Sequence, residues 1–173
     1  MIQKSNKEKI LALFFDKPLK GFQLREISKL TGIGLPSVKN YAEAMVEEGV
    51  LRKAQGQVFP YFIAEREGRE FRLLRLAGML RELDESELLA ELEKMYPDCI
   101  VLFGSAARGE DTEKSDIDLF VQAKEKGIDL RRFEKLLGRP VKLMFEQSVQ
   151  KLPAELRNNL ANGIVLRGYL KVI

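Results

Sequence analysis

The chain has 173 residues, enough for one ordinary domain or two small ones; 45% are hydrophobic and 32% charged, the profile of a folded globular protein rather than a disordered one. It contains no histidine and one cysteine, Cys99, which excludes a Ser-His-Asp triad, a His-ligated zinc site and an intrachain disulfide. The net charge of +3 is unevenly spread: residues 1–64 carry +4, residues 65–83 carry +1 and residues 84–173 carry −2, so a mildly basic front precedes a mildly acidic back.

The N-terminal residues Met1 to Asn6 have no apolar h-region, and no apolar run approaches the ~18 residues that cross a bilayer. With the lone cysteine, this predicts a cytoplasmic protein without a membrane segment.

Ser5-Asn6-Lys7-Glu8 reads as a capping box, and Ile10, Leu13 and Phe14 continue it as a helical stripe that Asp16-Lys17-Pro18 ends. Leu24, Ile27 and Leu30 have helical spacing. Gly32-Ile33-Gly34 makes a turn, and a further helix follows with Pro36 in its first turn and Val38, Tyr41, Ala42, Met45 and Val46 inward. Val50–Lys53 and Val58–Ala64 then read as a hairpin around Ala54-Gln55-Gly56-Gln57. This order of elements resembles the winged helix-turn-helix domains of bacterial and archaeal transcription regulators. The resemblance implies contact with double-stranded DNA through Ser37, Lys39 and Asn40 on the second helix and Arg52 and Lys53 on the hairpin, with Gln55 and Gln57 beside them. Glu43, Glu47 and Glu48 oppose that basic set, so a monomer is expected to bind weakly and a dimer on two half-sites more strongly.

Residues 65–83 read as a connecting helix. Arg66, Arg69, Arg72 and Arg75 interleave with Glu65, Glu67 and Glu70, which predicts a solvated, self-paired surface. The apolar Phe71, Leu74, Leu76, Leu80 and Leu83 are expected to pair with a second copy in a homodimer.

Residues 84–173 open with a predicted helix, about Glu85–Tyr96. A buried strand at Ile100–Phe103 follows, then a strand at Asp116–Val121, a helix at Leu130–Leu137, a strand at Val141–Phe145, a helix at Pro153–Asn162 and a strand at Ile164–Tyr169. Between the first two strands lies Gly104-Ser105-Ala106-Ala107-Arg108-Gly109. Gly104 lets a phosphate approach the backbone, a helix start after it offers free N–H groups, and the Ser105 hydroxyl adds a hydrogen bond. Arg108 either binds phosphate or braces the loop through a carboxylate. Asp116 and Asp118, two apart on a strand, share one face, and two such carboxylates opposite a phosphate turn suit Mg²⁺, which takes one or two carboxylates plus phosphate oxygens. Glu110, Asp111 and Glu113 read as solvated loop charges.

Gly104, Ser105, Arg108, Gly109, Ser115, Asp116 and Asp118 together resemble the nucleotidyltransferase superfamily pattern, Gly-Ser, two residues, Arg-Gly, a spacer, then Ser-Asp-x-Asp. The match is close to the minimal nucleotidyltransferases of prokaryotes, often antitoxins paired with a helical toxin protein. It implies a mixed sheet flanked by helices, a nucleoside triphosphate such as ATP held by Gly104, Ser105, Arg108 and Ser115, and Mg²⁺ held by the catalytic pair Asp116 and Asp118. Catalytic members use a third carboxylate on a neighbouring strand. Here the corresponding stretch, Pro140-Val141-Lys142-Leu143-Met144, carries Lys142. Glu146 lies ~13 Å further along an extended strand, so it serves only with a shifted register.

The expected fold is therefore α+β: a winged helix over 1–64 (helices with a β-hairpin wing), a connecting helix over 65–83, and a nucleotidyltransferase-like domain over 84–173. Two functions stay open. One is a DNA-binding regulator or antitoxin that binds Mg-nucleotide with weak or lost transfer. The other is an active nucleotidyltransferase that moves a nucleoside monophosphate to a hydroxyl of a protein, RNA or small-molecule acceptor.

Overall fold

The structure, a computed structural model, describes residues 5–56 and 58–171. The expectations placed on Met1–Lys4 and on Gln57 fall outside the described residues. The chain divides into two compact units, residues 1–75 and 76–173.

In the first unit, α1 (Asn6–Asp16) starts at the capping box read from the sequence: the Glu8 amide donates to the Ser5 hydroxyl and the Ser5 amide to the Glu8 carboxylate. α2 (Leu24–Thr31) ends at Gly32, whose φ of +71° is the left-handed cap that glycine adopts without strain. α3 (Leu35–Glu47) carries Pro36 in its first turn and buries Val38, Ala42 and Met45. β1 (Leu51–Ala54) and β2 (Tyr61–Ala64) pair antiparallel, with Leu51 opposite Ala64. The connection between them is longer than the sequence suggested, because Val58 and Phe59 lie exposed in the loop and outside the strand. A contact invisible to periodicity adds to this hairpin: Phe22, just before α2, bridges antiparallel to Phe62 through two 2.8 Å backbone hydrogen bonds. Phe14 and Phe22 meet edge-to-face at 5.1 Å within one core that also holds Ile10, Ile27, Met45 and Phe62.

α4 (Arg69–Glu85) replaces the predicted connecting helix 65–83, and the division between units falls inside it. Phe71 is buried in the first unit's core, while Met79 and Leu83 are buried in the second's. Of the apolar residues that the sequence assigned to a homodimer, Phe71 and Leu83 are buried in these cores, while Leu74, Leu76 and Leu80 are partly buried against them. Nor are the arginines uniformly solvated: Arg75 is 3% exposed and lies 5.5 Å over the Phe15 ring, while Arg72 pairs with Glu67 and donates to the Arg66 carbonyl.

The predicted helix Glu85–Tyr96 is also corrected. α4 runs through Glu85, Ser86 caps the break by donating to the Leu83 carbonyl and accepting from the Leu88 amide, Glu87 takes φ +62°, and α5 covers Leu88–Glu93. β3 (Cys99–Phe103), β4 (Ile117–Val121), β5 (Val141–Phe145) and β6 (Ile164–Gly168) form a four-stranded sheet in the order β5-β4-β3-β6. β3 is antiparallel to β4 and β6, and β4 is parallel to β5, so the sheet is mixed. α6 (Arg131–Leu137) precedes β5, and α7 (Ala154–Ala161) precedes β6. Alternation along the strands sorts the two faces. Ile100, Leu102, Ile117, Leu119 and Val121 enter the larger core with Met79, Leu83, Leu88 and Phe133. Cys99, Val101 and Phe120 enter a smaller cluster with Val149 and Leu160.

Candidate functional site

Period-two alternation places Asp118 on the face of the smaller cluster, between buried Ile117 and Leu119, which point to the other side. Asp116 precedes the strand by one residue and is half-buried like Asp118. In the antiparallel pair, Asp118 lies opposite Phe103, the last residue of β3, which brings the following Gly104 beneath the carboxylate. Gly104 has φ +73°, and a Cβ there would stand 2.6 Å from Asp118 Oδ2. Only glycine gives both the left-handed turn and the close approach of carboxylate to backbone.

The helix expected after Ser105 is a single 3₁₀ turn, Ala106–Arg108, closed by Arg108 N–H to Ser105 C=O at 3.1 Å and by Gly109 at φ +65°. So short a turn supplies no helix dipole of consequence, and phosphate recognition here would rest on local amides and the Ser105 hydroxyl. Arg108 takes the bracing role: its Nε meets Glu110 Oε2 at 2.7 Å. Ser115 likewise serves the loop. Its hydroxyl accepts from the Thr112 amide at 3.0 Å and its amide donates to the Thr112 carbonyl. The structure thus brings Gly104, Ser105, Asp116 and Asp118 to one end of the sheet, whereas Arg108 and Ser115 are engaged with loop neighbours.

Two of the loop acids are not solvated charges. Glu110 is held by Arg108, and Asp111 is buried at 1% exposure against Arg139, whose guanidinium also donates to the Thr112 carbonyl at 3.2 Å. That pair ties the loop ahead of Asp116 to the segment that enters β5. The sequence signal was available but weak: an Arg-Pro immediately before a strand and an Asp in a loop carry no periodicity.

The neighbouring strand decides the third acidic position. β5 runs parallel to β4 with Lys142 in register with Asp118. Lys142 Nζ lies 2.5 Å from Asp116 Oδ2, with the lysine side chain 68% exposed and the aspartate's 29%. A pair this open adds little to stability, because solvent screens it. The hydrogen bond to Asp116 and the charges of Asp116 and Asp118 raise the Lys142 pKa above its ordinary value. Burial raises that of Asp118; Lys142 opposes the shift and Asp116 adds to it. Glu146 does not substitute. The register runs without a shift from Val141 to Phe145, and the Glu146 carboxylate accepts from the Ser148 amide beyond the strand's far end.

Two hard carboxylate oxygen donors beside a glycine cradle fit one Mg²⁺ with phosphate oxygens completing its shell. On the neighbouring strand Lys142 sets an ammonium beside them. Among the described residues there is no cluster of three or more His, Cys, Asp or Glu side chains that would hold a metal without such a partner.

In the first unit, Ser37, Lys39, Asn40, Arg52 and Lys53 are all exposed. Lys39 and Lys53 line one pocket of about 410 Å³ with Arg25, Leu35, Glu43 and Phe59. Arg25, which no sequence motif marks, lies 5.8 Å over the Phe59 ring. Arg52 is drawn toward Glu65 at 3.5 Å. Ser37 and Asn40 lie outside the residues that line this pocket.

Among the described residues, no helix is long and apolar enough to cross a membrane. Residues 85–166 match the nucleotidyltransferase domain family. A protein of Methanocaldococcus jannaschii named "Putative protein adenylyltransferase MJ1379" is 37% identical over 76 residues, an alignment that takes in 36% of this chain and 76% of the relative. No solved structure matches the chain significantly. The Gly-Ser turn, Asp116 and Asp118 at the start of β4 and the mixed sheet agree with that match, and the chain belongs to the nucleotidyltransferase domain family.

Proposed function

We propose that the protein is a DNA-binding regulator whose C-terminal unit binds a nucleoside triphosphate with one Mg²⁺ and has weak or no transfer activity. The observation that carries this reading is the Lys142–Asp116 ion pair in register with Asp118. Gly104 and Ser105 accept the phosphates, and Asp116 and Asp118 hold the ion. When bound, the ion neutralises phosphate charge and orients the triphosphate. The third carboxylate, which in catalytic relatives serves a second metal and the acceptor proton, has no counterpart at Lys142. The first unit is read as a winged helix that contacts double-stranded DNA through Ser37, Lys39, Asn40, Arg52 and Lys53. Its helix, helix-turn-helix and hairpin order supports this, and two copies on two half-sites would double a sparse basic set. Incubation with α-labelled ATP is expected to give no transfer by the wild type, and a sequence-selection assay is expected to recover preferred duplexes. A random pool after selection would overturn the DNA reading, and fast wild-type labelling of an acceptor would overturn the loss of transfer.

A second reading is favoured by the relative's name and by the two retained aspartates: adenylyl transfer to a hydroxyl of a partner, such as a helical toxin encoded nearby. Label on that partner that disappears with Asp116→Ala would establish it.

A further inference from the structure

Lys142 is more than a missing acid. Its ammonium sits on Asp116 Oδ2 at 2.5 Å, its backbone is in register with Asp118, and its side chain is largely exposed. We propose that Lys142 is a tethered cation that keeps bare metal off the site and passes from Asp116 to the triphosphate when a metal–nucleotide complex enters. This rests on the nucleotide-binding reading above and assigns a regulatory role within the same site.

Charge exchange drives the movement. Asp116, Asp118 and Lys142 together carry one net negative charge, and without the lysine they carry two. A bare divalent cation must displace the ammonium from Asp116 and leave it beside a second positive charge. A metal–nucleotide complex brings its own anionic oxygens, so the ammonium exchanges a carboxylate for a phosphate while the metal takes the carboxylate. Lysine suits such an exchange because its charge is compact and its four-carbon stem is flexible. Arg108, in the turn itself, is engaged by Glu110 at 2.7 Å. Lys142 therefore opposes one ligand and favours the other, and its removal must move the two affinities in opposite directions. A lysine with only a structural role would move neither, or both the same way.

The test uses the full chain as wild type, Lys142→Met and Lys142→Arg, with Mn²⁺ binding followed by electron paramagnetic resonance and Mg-ATP binding by calorimetry. Lys142→Met is expected to bind Mn²⁺ alone about threefold more tightly and Mg-ATP about tenfold more weakly. Lys142→Arg, which keeps the charge, stays near wild type. The exposed position makes both variants compatible with folding, which circular dichroism checks. Mn²⁺ affinity that is unchanged or reduced in Lys142→Met overturns the proposal, as does Mg-ATP affinity that is unchanged or increased. A wild type that binds Mn²⁺ but no Mg-ATP overturns the nucleotide reading itself, a failure distinct from two shifts of the same sign.

Discussion

Gly104 carries two separate constraints, and a single methyl group violates both. Its φ of +73° costs any other residue about 1–2 kcal/mol. The added Cβ would also stand 2.6 Å from Asp118 Oδ2, so the carboxylate must shift from its place beside the turn. Gly104→Ala is expected to lower the melting temperature by a few degrees, about 3–6 °C, and to weaken Mg-ATP binding more than stability, as paired calorimetry and thermal unfolding would show. Cys99 gives a second prediction at this scale. Burial pushes its thiol up to about 11, with the Asp98 charge adding to the shift, and Sγ donates to Gln122 at 3.3 Å. The native protein at pH 8 is expected to resist an aromatic disulfide reagent and to react fully once unfolded. The thiol's proton is held more tightly in the fold, so its contribution to stability is complete below 9.0 and lost as pH rises toward about 11. Rapid labelling of folded protein at pH 8 would contradict the buried placement.

At the scale of elements, the Asp111–Arg139 pair joins the loop ahead of β4 to the start of β5, and both side chains are almost fully buried. Removing one partner leaves a buried charge, which costs about 3–5 kcal/mol. Asp111→Ala is therefore expected to be strongly destabilised in urea unfolding, while Asp111→Leu with Arg139→Met recovers most of the loss. If the double variant is less stable than the single, the pair is not an isolated unit. This pair also shows where sequence reading fails. Strands β3, β4 and β5 were legible because apolar alternation and short buried runs are local signals, and α1 because its capping box is two residues at a fixed spacing. Asp111 looked like its neighbours Glu110 and Glu113, because a loop has no period and the partner lies 28 residues away. The Phe22–Phe62 bridge was hidden for the same reason. The break at Ser86 and Glu87 was hidden by helix-favouring residues on both sides, with only the Ser86 cap to mark it. The site motif itself was legible, since Gly104, Asp116 and Asp118 lie within one short stretch. The sequence left Arg108 open between phosphate and loop and gave no sign of the Ser115–Thr112 bonds, because a side chain's partner in a loop depends on how the loop closes.

For the molecule as a whole, the charge split that composition revealed follows the division of labour proposed here. The first 64 residues carry +4, with Lys39 and Lys53 on one pocket and Arg25 against Phe59 beside them. Each phosphate contact contributes about 0.9 to the slope of log affinity against log salt. Lys39→Ala with Lys53→Ala is expected to reduce that slope by about 2 for duplex DNA and to leave Mg-ATP binding unchanged. An unaltered slope would mean that these lysines do not face DNA. In the other unit, the proposed function requires a nucleotide and one metal to share Asp116 and Asp118. The most direct measurement is a calorimetric titration of Mg-ATP into the full chain, wild type against Asp116→Asn with Asp118→Asn. One saturable site is expected in the wild type, and binding at least about tenfold weaker in the double variant. Equal binding by the two proteins would contradict it.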